Sequence, residues 1–376
     1  MNSTSGPGDL VAELRSAGNL PAECYSAFET VKREYFVPNR VWTQETDDSR
    51  YEPVDRATEP ERWSSLVYSD RVIVTQFDDG DPTWPDVGFR PTSSASMPSA
   101  VAGMLGALDA QPGESVLEIG TGTGFNAALI SELVGPEGNV TSIEIDENIG
   151  KEAKRNLETA GYSRVDVEIQ DATFPIGRRF DRIIATAGVH LGQLPFWWVK
   201  SANVILAPMR ADLSSGPLVK FEIDDGVARG RAVGMRVGFM EMRSQRVRSM
   251  SHRKLRWDDE QADRSTTDVN PFVVLLNESS RWAASVAVPM CRYDLEKPTE
   301  ERDHGVAWLV DPISGSWATV APEDEDSHTV RQFGPRRLWN ETESAYRWWV
   351  RKGKPAIESW EWTVSAERQS IQLATE

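Results

Sequence analysis

The chain has 376 residues, enough for two or three domains of ordinary size and for a large buried core. Its formal charge of −17 argues against a nucleic-acid coat or a binder of anionic membranes, because both need a net positive surface. With two cysteines, Cys24 and Cys291, it has neither a disulfide framework nor a multi-cysteine zinc site. It shows no apolar run of membrane-spanning length and no secretory signal at its polar start, so we expect a cytoplasmic protein.

The first 98 residues predict helices, an acidic loop and a strand. Helices at 9–17 and from Pro21 have apolar residues at helical spacing. The polar and acidic stretch 43–60 predicts a loop or lid. The stretch 66–76 alternates and contains β-branched residues, which indicates a strand.

Residues 99–250 contain strands that alternate with helices. The expected strands are 115–119, 140–145, 165–169, 180–185 and 204–208, and the expected helices are 99–108, 125–134 and 147–160. Alternation at these lengths is typical of βαβ units, so we predict an α/β fold with a parallel sheet flanked by helices.

The last third, 251–376, differs in composition, since nine of the 14 tryptophans follow residue 250. A hairpin around 311–316, a helix capped by Asn340 and a strand through Trp360 and Trp362 predict a separate, smaller α+β domain. Its tryptophans predict either a recognition surface for a peptide substrate or the core of the domain itself.

Charged clusters give weaker signals. Nine Lys or Arg residues lie between Arg229 and Arg256. This basic stretch predicts either a solvated strand edge and linker or a local site for an acidic peptide. The four histidines are too scattered to indicate a metal site. The acidic run 323–326 lacks the glycine and alternating ligands of a calcium loop, so no metal is predicted.

The strongest motif is a glycine loop, Gly120 to Gly124, between a predicted strand and a predicted helix. Its G-x-G-x-G spacing lets the backbone approach a ligand at the carboxyl ends of the strands. Glu144 ends the next strand, 20 residues after Gly124, where it can accept hydrogen bonds from both ribose hydroxyls. Asp171 follows the third strand and can accept from an adenine amino group.

A dinucleotide site is the competing interpretation, but its motif is G-x-G-x-x-G with the pyrophosphate on the helix N-terminus. Here the third glycine comes one residue earlier, and the first strand carries the acidic Glu118 near its end. A negative charge suits a sulfonium cation better than a pyrophosphate. The combined motif therefore favours S-adenosylmethionine over a dinucleotide or a purely structural turn.

Four stretches in the expected order resemble the protein-L-isoaspartate O-methyltransferase family, and they are 10–15, 31–38, 116–128 and 180–189. The family's Thr-Ile-Ser-x-Pro segment is similar to Ser94-Ala95-Ser96-Met97-Pro98, while its Pro-Gly-Gly is replaced by Ser201-Ala202-Asn203. A branch with an added C-terminal region occurs beside genes for ribosomally made, modified peptides such as lanthipeptides, lasso peptides and graspetides. The Ser-Ser-Ala-Ser-Met-Pro segment and the tryptophan-rich tail resemble that branch.

The resemblance implies a Rossmann-like class I methyltransferase in three parts: a helical N-terminal region with the acidic loop and a substrate-side segment (1–98), the cofactor-binding core (99–250) and the C-terminal α+β extension (251–376). It implies S-adenosylmethionine as cofactor, with S-adenosylhomocysteine as product. The implied cofactor contacts are Glu118, Gly120, Thr121, Gly122, Gly124, Asn126, Glu144, Ile145, Asp171, Ala172 and Thr186. Ser96 takes the catalytic position, where a loop or helix-capping serine is the alternative, and the implied substrate contacts are Ser94, Met97, Val189 and His190.

The expected reaction is O-methylation of an Asp side chain in a ribosomally made, cyclised, graspetide-like precursor peptide, after which the ester collapses to aspartimide or isoaspartate. A carboxylate is ionised at pH 7, so transfer needs alignment and removal of water rather than a strong base. The alternatives are repair of isoaspartate in aged proteins, a non-catalytic peptide-binding homologue, and methylation of a small metabolite. The expected partner is a peptide or protein that carries Asp or isoaspartate, not nucleic acid or a membrane.

Overall fold

The computed structural model describes residues 6–44, 50–247, 261–298, 304–324 and 327–374. Its helices are α1 (Pro7–Ser16), α2 (Tyr25–Thr30), α3 (Pro60–Val67), α4 (Pro98–Leu108), α5 (Phe125–Val134), α6 (Glu147–Thr159), α7 (Phe196–Ser201), α8 (Pro271–Leu276), α9 (Glu278–Ala287) and α10 (Leu338–Arg351). Its strands are β1 (Arg40–Thr43), β2 (Glu52–Asp55), β3 (Ile73–Phe77), β4 (Pro91–Ala95), β5 (Ser115–Ile119), β6 (Asn139–Glu144), β7 (Asp166–Ile169), β8 (Arg182–Ala185), β9 (Val189–His190), β10 (Val204–Arg210), β11 (Pro217–Asp224), β12 (Val227–Arg236), β13 (Asp263–Thr267), β14 (Arg292–Glu296), β15 (Val306–Val310), β16 (Trp317–Pro322), β17 (His328–Phe333), β18 (Trp360–Val364) and β19 (Gln369–Leu373).

A ten-stranded sheet forms the centre of the molecule. Strands β7, β6, β5, β8 and β10 lie side by side and parallel, and β11, β12, β18 and β19 continue the sheet in antiparallel pairs. The short β9 pairs with the end of β10. The parallel half, with α4 before its first strand and α5 and α6 between the next ones, is the predicted α/β fold, and its strands are mostly apolar because both faces are covered.

The N-terminal region packs against this core and is not purely helical. Phe28 of α2 and Phe125 of α5 meet edge to face, with ring centroids 6.1 Å apart. A separate four-stranded sheet has the order β2-β1-β3-β4. The prediction of a loop or lid over 43–60 was therefore wrong in part, because β1, β2 and the start of α3 lie there. The acidic residues 45–49 at its centre lie outside the described residues.

The C-terminal region divides between two sheets. Strands β13 to β17 form an antiparallel five-stranded sheet that packs against α8, α9 and α10, as an α+β unit should. Strand β18 instead pairs with β12, β19 pairs with β18, and together they extend the central sheet. The region 251–376 is therefore not a separate domain throughout, and the Trp360 and Trp362 side chains lie in the core that the central sheet shares with α9 and α10.

Most tail tryptophans fill cores rather than cover a surface. Six of them are at least 95 % buried, and they are Trp282, Trp317, Trp339, Trp349, Trp360 and Trp362. Trp257 lies outside the described residues. The recognition hypothesis is therefore wrong for these six, and they stabilise the fold. In the ranges that the structure describes, no helix is long and apolar enough to cross a bilayer.

Candidate active site

A cavity of about 380 Å³ opens at the carboxyl ends of the parallel strands. The glycine loop, the ends of β6 and β7, strand β4 with Ser96 and Met97, and residues 236–246 line it. Of the residues expected to hold the cofactor, those that reach this cavity are Glu118, Gly120, Thr121, Gly122, Asn126, Glu144, Ile145, Asp171, Ala172 and Thr186. Ligands of open α/β sheets bind at this edge of the sheet, so the fold places the predicted residues together where one can bind.

Gly124 is the exception among them. It begins α5 with a φ of +93°, and a Cβ there would lie 3.2 Å from Leu157 Cγ of α6. Gly124 therefore permits close packing of α5 against α6 and does not line the cavity. Gly120 does line it, with a φ of +97°, and a Cβ there would lie 2.9 Å from Thr186 Oγ1. That hydroxyl donates to Gly120 O at 2.7 Å and so fixes the loop.

Glu144 is positioned by the backbone around it. Gly122 N donates to its Oε2 and Asp146 N donates to its Oε1, both at 3.0 Å. Burial raises the pKa of Glu144, and the two N–H bonds oppose that shift. Each carboxylate oxygen keeps a further lone pair, so a rigid acceptor for two hydroxyl groups lies on the cavity wall.

Glu118 is the most deeply buried acid of the cavity. Asn126 Nδ2 donates to its Oε1 at 2.8 Å, and Ser142 Oγ donates to its Oε2 at 2.5 Å. Burial raises the pKa of Glu118 to about 7 against these two bonds, and the nearby Glu144 charge adds to the rise. A group that titrates near neutrality beside an open cavity is expected to respond to a cationic ligand.

Asp171 and Ala172 are held at the opposite wall. Thr173 N donates to Asp171 Oδ1 at 2.9 Å, which leaves Oδ2 as a further acceptor. The indole N–H groups of Trp197 and Trp198 both donate to Ala172 O, at 2.9 and 3.0 Å. The cavity can thus offer a fixed acceptor to an adenine amino group at one end and Glu144 to a ribose.

Ser94, Ser96 and Met97 lie together at the other end of the cavity. Among the described residues, the Ser96 hydroxyl has no hydrogen-bond partner, although its carbonyl accepts from Arg33. The first amide of α4 able to donate, Ser99 N, bonds to Asp70 and not to Ser96. Ser96 is therefore not the helix cap that its position before Pro98 also allows, and its hydroxyl remains available to a ligand.

Val189 and His190 do not reach this cavity. Val189 is fully buried, and His190 lines a different cavity of about 220 Å³ between the central sheet and α9. His190 Nε2 lies 3.2 Å from Asp212 Oδ2, and the Asp212 carboxylate raises the pKa of His190. The expectation that they contact the substrate is thus corrected, because neither residue lines the cavity beside the glycine loop.

A segment that we name the strap, residues 237–246, follows β12 and lies along the cavity, a position that its basic sequence did not predict. Backbone bonds fix its middle, since Gly188 N donates to Met240 O at 2.7 Å and Met242 N donates to Gly188 O at 3.0 Å. Ser244 Oγ donates to Asp171 Oδ1 at 3.0 Å. The strap thus covers the cofactor end of the cavity and connects the core to the C-terminal region.

Ion pairs fasten the end of the strap. Arg243 lies 3.1 Å from both Asp79 and Asp146, and Arg246 lies 2.8 Å from Asp79. Burial tends to raise the pKa of Asp146, but hydrogen bonds from Ile149 N, Gln76 and Arg243 outweigh it and lower that pKa. These arginines belong to the basic stretch of the sequence. Because acidic side chains of the chain pair with them, they do not form an open site for an acidic peptide.

We expect Asp79→Asn to speed release of S-adenosylhomocysteine about two- to tenfold, because it weakens two partly exposed ion pairs worth about 0.2–1 kcal/mol each. Stopped-flow displacement at low and high salt measures the rate. Asp81→Asn is the matched control, since it removes the same charge from the same loop but none of these contacts to the strap. Equal rates for the wild type and Asp79→Asn at low salt would show that the ion pairs do not hold the strap closed.

Fold and site together define a class I S-adenosylmethionine-dependent methyltransferase, because a glycine loop, Glu144 after one parallel strand and Asp171 after the next meet at one cavity of a parallel sheet. The family model described as Protein-L-isoaspartate(D-aspartate) O-methyltransferase (PCMT) matches residues 51–200. Protein-L-isoaspartate O-methyltransferase 1 of Archaeoglobus fulgidus is 33% identical over 181 residues, which cover 47% of this chain and 67% of that protein. The chain belongs to the protein-L-isoaspartate O-methyltransferase family, whose members are S-adenosylmethionine-dependent protein carboxyl O-methyltransferases.

Two further comparisons separate the core from the rest. The Pyrococcus horikoshii protein-L-isoaspartate O-methyltransferase is 50% identical over 95 residues, which cover 25% of this chain and 42% of that protein. A solved structure titled protein-L-isoaspartate O-methyltransferase has a TM-score of 0.54 at 21% identity and covers 98% of this chain and 100% of its own. The fold of nearly the whole chain, C-terminal region included, thus has a counterpart in a solved structure of that title.

Proposed function

We propose that this chain transfers a methyl group from S-adenosylmethionine to the side-chain carboxylate of an aspartyl or isoaspartyl residue in a peptide. The observation that carries the proposal is one cavity lined both by Glu118, Glu144 and Asp171 and by Ser96, whose hydroxyl has no hydrogen-bond partner among the described residues. Gly120 and Gly122 of the glycine loop also line the cavity and have no side chains that would block a ligand. The cofactor is therefore held at the loop, and the peptide enters beside β4.

S-adenosylmethionine, when bound, supplies an electrophilic methyl group on a sulfonium sulfur. The residues of the chain bind and align the reactants. Ser96 donates a hydrogen bond to the peptide carboxylate and points one of its oxygens at the methyl carbon. The carboxylate is already ionised at neutral pH, so the cavity needs no histidine or lysine base, and alignment with exclusion of water lowers the barrier.

Two substrates fit this chemistry. The first is an isoaspartyl residue in an aged protein, and the names of the two relatives described above support it. The second is an ordinary Asp in a ribosomally made, cyclised, graspetide-like peptide, whose methyl ester would collapse to aspartimide and then open to isoaspartate. The C-terminal α+β unit does not separate the two substrates, because a solved structure titled protein-L-isoaspartate O-methyltransferase matches nearly the whole chain, this unit included.

Mass spectrometry with S-adenosylmethionine separates these substrates. The three peptides are a short isoaspartyl peptide, its aspartyl isomer, and an Asp peptide closed by an ester or amide cross-link. A gain of one methylene followed by loss of methanol marks methylation and ring closure. Reaction of the isoaspartyl peptide alone indicates repair, reaction of the cross-linked Asp peptide alone indicates peptide biosynthesis, and no reaction with any of them contradicts the proposal.

We expect Ser96→Ala to lower kcat for the reactive peptide about tenfold, which corresponds to the loss of a hydrogen bond to a charged group. The dissociation constant for S-adenosylhomocysteine should stay unchanged. Ser99→Ala is the matched control, because Ser99 lies three residues along the same segment and does not line the cavity. If both variants lose activity equally, Ser96 has no special part in transfer.

A further inference from the structure

Arg33 is a fully buried cation that, among the described residues, donates hydrogen bonds only to backbone carbonyls. It lies in a short 3₁₀ turn (Arg33–Tyr35) after α2 and is 1 % exposed. Its Nη1 donates to Val67 O at 2.9 Å and Ser69 O at 3.1 Å. Its Nη2 donates to Arg71 O at 3.1 Å, Ala95 O at 3.4 Å and Ser96 O at 2.8 Å. One guanidinium thus joins the 67–71 loop to the end of β4.

The same loop holds the other end of the segment that carries Ser96. Asp70, between the carbonyls that Arg33 binds, accepts from Ser99 N at 2.8 Å in the first turn of α4. Residues 96–99 are therefore fixed on both sides, by Arg33 at the Ser96 carbonyl and by Asp70 at the Ser99 amide. Neither bond uses the Ser96 hydroxyl, which stays free toward the cavity.

Electrostatics favour a charged arginine at this place. Burial lowers the pKa of Arg33 to about 10, and the nearby Asp70 carboxylate opposes that shift, so the side chain is cationic at neutral pH. The Phe125 ring, which lines the cavity beside the glycine loop, lies 5.9 Å from the guanidinium carbon. Only the planar fork of arginine can reach carbonyls in several directions, because a lysine donates from a single nitrogen.

We propose that Arg33 is a positioning residue for methyl transfer, which acts by fixing the backbone of Ser96 so that its hydroxyl points at the peptide carboxylate. The inference rests on the proposed function, in which Ser96 contacts that carboxylate. A displacement of about 1 Å at such a group can cost about 100-fold in rate, so a buried residue outside the cavity can control the reaction. Arg33 contacts neither Glu144 nor Asp171 in its bonds above, so its effect should be confined to the acceptor end.

Arg33→Lys tests this with Arg182→Lys as the matched control. Arg182 also binds a carbonyl, Leu108 O at 2.6 Å, and the Glu114 carboxylate, but at the opposite end of the parallel strands. We expect Arg33→Lys to lower kcat about 10- to 100-fold and leave the dissociation constant for S-adenosylhomocysteine within about twofold. Arg182→Lys should lower the melting temperature and leave kcat unchanged. In Arg33→Ala, added guanidinium at millimolar concentration should restore part of kcat, whereas ammonium should not.

A double-mutant cycle distinguishes positioning from general destabilisation. If Arg33 acts through Ser96, Arg33→Lys has little further effect in the Ser96→Ala background. An equal fold-loss in both backgrounds, or a loss of cofactor binding in parallel with kcat, overturns the proposal. If the wild type methylates none of the peptides, the proposed function fails. Hydrogen–deuterium exchange then tests separately whether Arg33 fixes the backbone around Ser96. Faster exchange of the lysine variant confined to 67–71 and 95–99 supports a positioning role, and faster exchange throughout the core contradicts it.

Discussion

Glu144→Gln is expected to weaken binding of S-adenosylmethionine and S-adenosylhomocysteine roughly 10- to 100-fold. Both carboxylate oxygens accept backbone N–H groups, from Asp146 and Gly122, and both remain open to a ribose diol. A glutamine must direct its NH₂ at one of these N–H groups, because it has only one acceptor oxygen. The variant therefore loses a charge-assisted acceptor for the ribose and also disturbs the glycine loop at Gly122.

Isothermal titration calorimetry with each nucleoside measures the loss. Glu147→Gln is the matched control, since Glu147 lies three residues along the chain, is exposed, and forms its ion pair with Lys151. We expect wild-type affinity in that variant. Wild-type affinity in Glu144→Gln would mean that Glu144 does not bind the ribose, and the direction of the cofactor in the cavity would need revision.

The sequence predicts the parallel core closely because local and tertiary preferences agree there. Strand β5 and helix α5 have the predicted bounds, Ser115–Ile119 and Phe125–Val134. Their buried residues are mostly apolar, and the glycines between them, with positive φ, permit the sharp turn that joins strand to helix. Helix α6 begins one residue after Asp146, whose side chain accepts from Asn148 N and Ile149 N, as a capping residue does.

Elements whose partners are distant in sequence were predicted less well. Strand β18 pairs with β12, more than 120 residues earlier, and nothing in the pattern of Trp360 and Trp362 specifies that partner. Helix α10 begins at Leu338, before the predicted cap Asn340, because Gln332 of β17 accepts from Trp339 N and also binds Asn340. A side chain from a neighbouring strand thus replaces the local cap.

The site shows the same division. Motifs identify the residues that follow parallel strands, such as Glu144 and Asp171, because the fold brings strand ends to one edge. Arg33 and Arg243 act through contacts across 34 to 167 residues, and an arginine in a charged stretch gives no sign of them. Nothing local in the sequence excludes His190 from the substrate site. Only the tertiary structure shows that it lines a different cavity.

Glu118→Gln is expected to remove a pH dependence from the stability of the cofactor-free protein. Burial raises the pKa of Glu118 from 4.5 to about 7. Between these values the folded state keeps a proton that the unfolded state has released, so the free energy of unfolding falls as the pH rises through this window. The shift corresponds to a loss of about 3 kcal/mol by pH 8. Urea denaturation should find the variant nearly equal to the wild type at pH 5 and more stable at pH 8.

The same group should link cofactor affinity to pH. A sulfonium charge near Glu118 favours the carboxylate, so wild-type affinity for S-adenosylmethionine should increase between pH 6 and 8, by at most about tenfold per pH unit. S-adenosylhomocysteine, which lacks that charge, should show a smaller dependence, and Glu118→Gln should flatten the dependence for S-adenosylmethionine. An unchanged slope in the variant would assign the titration to Glu144, whose pKa burial also raises. Glu118 would then be a neutral, structural acid that holds Asn126 and Ser142 together.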